Sequence, residues 1–67
     1  MDIVKEHDCV VLVADLPGEK LAAGAIGTVV HVYGYGEAFE VEFSDQDGKM
    51  MALVTLERPQ FQPASKK

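Results

Sequence analysis

The chain has 67 residues, enough for one small domain, and its eleven acidic against six basic residues give a net charge of −5. Two of the six cations, Lys66 and Lys67, are the last two residues, so residues 1–65 carry four basic against eleven acidic residues, a balance of −7. Such a body repels phosphate backbones, whose binders need clustered Lys and Arg, and one cysteine with two histidines supplies neither an internal disulfide nor a structural zinc set.

The opening residues, Met1 to Asp8, show no basic stretch leading into an apolar one, and no secretory signal is expected. No apolar run approaches the ~20 residues of a spanning helix. With a lone thiol, Cys9, read as buried and reduced, the expected location is cytoplasmic, with no membrane partner. The first predicted strand is residues 9–14, apolar at every position, as in a strand covered on both sides. A long loop follows from Asp15 to Gly24, in which Leu16 and Leu21 are expected to fold over the core. The second strand, 26–33, is rich in β-branched residues. The third, 37–43, alternates: Phe39, Val41 and Phe43 on one face, Glu40 and Glu42 on the other. Strand four, 50–56, is apolar apart from Thr55, and a short fifth is expected at 60–62 around Phe61.

The connections predict antiparallel pairing. Gly34-Tyr35-Gly36 and Ser44-Asp45-Gln46-Asp47-Gly48 stand at hairpin distance, and Asp-Gly is a strong turn signal. No crossover helix fits between strands two, three and four, which excludes a parallel sheet. The expectation is an all-β fold, a small five-stranded SH3-like barrel with one long loop after the first strand. It forms a single domain over residues 1–63, and 64–67 trail off as a frayed polar tail. Its expected core is Val11, Val13, Ile26, Val29, Val32, Phe39, Val41, Phe43, Ala52, Val54 and Phe61.

Gly24-Ala25-Ile26-Gly27 raises a phosphate-cradling loop as an alternative. Such a loop needs a helix N-terminus behind it, or basic neighbours if it clamps a nucleic-acid backbone, and here a strand follows with no cation in reach. The motif is therefore read as a tight entry turn, with Gly27 where the chain packs close to its neighbour.

Asp15-Leu16-Pro17, Gly24-x-x-Gly27-Thr28-Val29-Val30, Glu37-Ala38-Phe39-Glu40-Val41-Glu42-Phe43, Asp47-Gly48, Ala52-Leu53-Val54-Thr55-Leu56 and Phe61-Gln62-Pro63 follow one another over residues 8–63. This ordered string resembles a family of small bacterial proteins catalogued only as a domain of unknown function. The Gly-x-x-Gly-x-Val entry is also similar, at the level of fold, to KOW motifs and to the barrel of the nitrile hydratase β subunit. The resemblance implies a five-stranded SH3-like barrel and brings no activity with it. Phe61 stands where that family usually has leucine, and both residues fill a core position.

Catalytic and metal chemistry find little footing. Asp45 and Asp47 lack the third oxygen ligand and the closing Glu of a calcium loop, and they are read as hairpin residues. Cys9 with His7 or His31 would need a cleft and a third orienting group to act as a nucleophile. No cofactor, metal or enzymatic activity is expected. Two surfaces remain. Tyr33 and Tyr35, with Glu40 and Glu42, could line a groove for a cationic or proline-rich peptide. Strands one and four are apolar on both faces, so their second sets, Val10 and Leu12 with Met51 and Leu53, are the candidate interface. The function expected is a non-catalytic, acidic protein-interaction module. Its partner is expected to be a protein encoded beside it or a second copy of itself, and not nucleic acid; a KOW-like nucleic-acid module is the alternative.

Overall fold

The computed structural model describes residues 4–45 and 47–64. Five strands form: β1 (Cys9–Leu12), β2 (Ile26–Tyr33), β3 (Ala38–Ser44), β4 (Met50–Leu56) and β5 (Phe61–Pro63). They make one antiparallel sheet in the order β4-β3-β2-β1-β5. Single 3₁₀ turns at Pro17–Glu19 and Arg58–Gln60 are the remaining regular elements among the described residues. Of the frayed tail expected at 64–67, Ala64 is instead tied to β1, donating its N–H to the Cys9 carbonyl at 2.9 Å, and 65–67 lie outside the described residues.

The alternation of β3 decides which face is inside. Phe39, Val41 and Phe43 are buried and their neighbours in register follow: Val32, Val29 and Gly27 on β2, Leu56, Val54 and Ala52 on β4. The sheet curls tightly around this face. In the sheet order β3 and β5 are three strands apart, roughly 14 Å in a flat sheet, yet the rings of Phe39 and Phe61 meet edge-to-face with centroids 5.1 Å apart. The curl stops short of closure. The two outer strands, β4 and β5, do not pair, so the expected barrel is an open, coiled sheet. β5 is only three residues long and ends in Pro63, which has no N–H to give a further ladder.

β1 corrects the expected core. Val10 and Leu12 point inward and are fully buried, whereas Val11 and Val13 do not belong to the core and Ile26 is 63% exposed. The physical reason is register: Val10 lies opposite Gly27, whose inner side is filled by Val41 and Phe43, and so shares that inward face. The same parity puts Cys9 on the outer face, so its thiol is exposed rather than buried. An ideal Cβ on Gly27 would stand 2.6 Å from a methyl of Val41 and 2.8 Å from the ring of Phe43.

The connections are closed by side chains that the turn chemistry supplies. The Asp15 carboxylate accepts the Ala23 N–H at 2.8 Å and pins the long loop at its base. Within that loop Leu16 and Leu21 pair as an isolated bridge, Leu21 buried and Leu16 packed against the core as expected. Val4 completes the cover from the N-terminal side. Gly24 takes φ +99°, a conformation L-residues rarely adopt, and this lets its N–H reach the Leu12 carbonyl at 2.8 Å. One oxygen of Asp45 accepts the N–H groups of Asp47 and Lys49 at 2.9 and 3.0 Å. That carboxylate organises the β3–β4 hairpin, as its position in the turn implies.

Candidate functional site

The outer face of the sheet divides into a polar end and an apolar end. Row by row, Leu53, Glu42, Thr28 and Cys9 lie across β4, β3, β2 and β1, and one step along Thr55, Glu40 and His31 follow. A bulge at Val30 shifts the register between Val29 and His31. It leaves both Val30 and His31 facing solvent before Val32 returns inward.

At the polar end one oxygen of Glu40 accepts the Tyr33 hydroxyl at 2.8 Å and the Thr55 hydroxyl at 3.0 Å. This ties β2, β3 and β4 together across the face. The His31 ring stands edge-on to Tyr33 with centroids 4.6 Å apart, and its Nδ1 is 3.6 Å from a Glu6 carboxylate oxygen. Both members of that last pair are about half exposed, so solvent screening leaves it little weight. Donation to Glu40 holds the Tyr33 phenol above its ordinary value of 10.0, helped by partial burial and then by the carboxylate's charge. The bond requires the neutral phenol. Its support is therefore present below pH 10 and lost as pH rises through the raised value. Tyrosinate absorbance should show Tyr33 ionising later than in Glu40→Gln, where the titration moves down toward 10.0; identical curves would remove the hydrogen bond from solution.

The groove expected from Tyr33, Tyr35, Glu40 and Glu42 is only partly assembled. Tyr33 and Glu40 are joined, Glu42 sits one row away between Thr28 and Leu53, and Tyr35 stands fully exposed at the hairpin tip. Among the described residues no three His, Cys, Asp or Glu side chains group as a metal would need, and no helix is long and apolar enough to cross a membrane.

The apolar end is formed by β4 and by the β1–β2 pair. Met50, Met51 and Leu53 are 58%, 54% and 50% exposed. Val13 and Ile26 are exposed too, Ile26 lying opposite Val11 on the same face. Of the four expected interface residues, Met51 and Leu53 are on the surface, while Val10 and Leu12 are core and unavailable to a partner. The outer apolar residues of β1 are the ones that an all-apolar strand could not distinguish by alternation.

β4 is also an edge. It hydrogen-bonds to β3 alone, and its seven residues, Met-Met-Ala-Leu-Val-Thr-Leu, include no charge, proline or glycine. Edge strands are ordinarily blunted by charge, proline or shortness. The opposite edge, β5, has two of those protections in its length and Pro63, whereas β4 has only the bulge at Met51. No curated protein and no solved structure matches the chain. The family described as Domain of unknown function (DUF4926) matches residues 6–63, nearly the whole sequence, and the chain belongs to that family.

Proposed function

We propose that the chain is a non-catalytic protein-interaction module that receives an extended polypeptide segment along β4. One observation carries this reading: the longer and less protected edge of the sheet carries three exposed apolar side chains, Met50, Met51 and Leu53. Strand addition uses both parts of such a site, the free backbone N–H and C=O groups for affinity and the alternate side chains for specificity. The polar end supports the same role by stiffening β3 against β4 through Glu40 and Thr55, which holds the receiving strand in place.

A photo-crosslinking residue at position 51 tests it in cells. It should give a discrete adduct that disappears on Leu53→Lys, and the same residue at position 62, on the outer face of β5, should give none. Equal labelling from 51 and 62, or no adduct from 51, would overturn the assignment of β4.

A further inference from the structure

Resting on that reading, we propose that the segment received by β4 is β4 of a second copy, paired antiparallel about a two-fold axis near Leu53. The charge pattern of the strand carries the argument. β4 is uncharged through its length, with Lys49 just before it and Glu57 just after it, both exposed. An antiparallel two-fold pairing lays the start of one strand against the end of the other. With Leu53 opposite its own copy, the bulge at Met51 draws Lys49 of each chain one step inward, level with Leu56 of the other and beside its Glu57, at both ends of the pair. Arg58 is carried at the same time toward the acidic turn that holds Asp47. A parallel pairing would set Lys49 beside Lys49 and Glu57 beside Glu57.

The same register suits the side chains. Leu53 meets Leu53 and the bulged pair Met50 and Met51 meets Thr55 on the outer face, while Ala52 meets Val54 on the inner one, so the exposed apolar set of each copy covers that of the other. The net charge of −5 does not prevent this. The acidic residues of the outer face, Glu40 and Glu42, are on β3. Across the joined sheet the two β3 strands are three strand spacings apart, roughly 14 Å, beyond the ~8 Å over which charges act at physiological salt. The Glu40 carboxylate is, besides, engaged by Tyr33 and Thr55.

Sedimentation of the full chain, from low micromolar to several hundred micromolar, should show a monomer–dimer equilibrium. Lys49→Glu and Glu57→Lys, each shown to be folded by circular dichroism, should each weaken the dimer about tenfold or more, because like charges then stand beside one another twice. Mixed in equal amounts, the two variants should form a heterodimer as tight as the unaltered protein, since both neighbouring pairs are again opposite in sign. As a second readout, β4 amide protons of the unaltered protein should gain protection against exchange as concentration rises. A strict monomer at the highest concentration overturns self-pairing; the interaction reading then survives only if position 51 crosslinks to a different protein. A dimer that the mixture fails to restore overturns the antiparallel register.

Discussion

Gly27→Val is expected to leave the chain unfolded at room temperature, and Gly27→Ala to cost about 3 kcal/mol, the upper end for forcing atoms into a packed core. The cause is lateral crowding. A Cβ at this position would meet Val41 and Phe43 at 2.6, 2.8 and 2.9 Å, and both of those side chains are buried and hemmed in. The backbone at Gly27 is ordinary, with no positive φ, so the glycine is required for space and not for conformation. A domain of this size has roughly 3–5 kcal/mol in total, and valine, with two further methyl groups, exceeds what Val41 and Phe43 can yield. Gly24→Ala is the matched control: the space there is open but φ is +99°, so the cost is backbone strain of about 1–2 kcal/mol. Urea denaturation of the three variants separates the cases. A Gly27→Ala variant within ~0.5 kcal/mol of the parent, the usual range of a surface substitution, would mean that β2 and β3 are packed differently.

The second large effect is expected at Phe39, which is buried beneath the curl and touches Phe61 from the last strand. Phe39→Ala should lose about 3–5 kcal/mol through lost burial and the cavity left behind, again comparable to the whole stability. The milder Phe39→Leu and Phe61→Leu, with their double variant, allow a thermodynamic cycle. Because the rings meet at 85°, their coupling should come out at about 0.5–1.5 kcal/mol beyond area burial. Additive losses would place the two rings out of contact and would flatten the sheet. Phe61→Leu alone should cost less than Phe39→Ala, since leucine keeps most of the buried apolar volume and leaves a smaller cavity.

How legible the molecule was in its sequence depended on how sharply each segment contrasts polar with apolar. β3 alternates without exception, and its facing was readable; it then fixes β2 and β4 through the two hairpins, whose Gly and Asp-Gly turns were readable as well. β1 has valine or leucine at both parities, so the choice between Val10 with Leu12 and Val11 with Val13 had no local signal. It is settled by pairing with a residue 17 positions away, Gly27, which lies on the inner face of β2 opposite Val10. Closure was overestimated for a related reason: composition shows that a fifth strand exists, but its length and the effect of Pro63 on pairing are properties of the assembled edge. At the surface, Met51 and Leu53 could be found from β4 alone. The engagement of Tyr33 by Glu40 could not, because it depends on the bulge that turns His31 and Tyr33 outward.

The pairing of β1 with β5 joins Leu12 to Phe61, 49 residues apart, whereas the β3–β4 ladder begins with Ser44 and Met50, six apart. Chain entropy makes the longer closure costlier by about 2 kcal/mol. What offsets it within β5 is little more than one buried side chain, Phe61. Release of β5 therefore returns the most freedom for the least exposed area, and the molecule opens from this strand inward. The three-strand meander β2-β3-β4, held by neighbours in sequence, persists after β5 has left, and with it the surface at Met51 and Leu53. An excursion that exposes Phe61 to a protease would leave the receiving edge of the sheet intact.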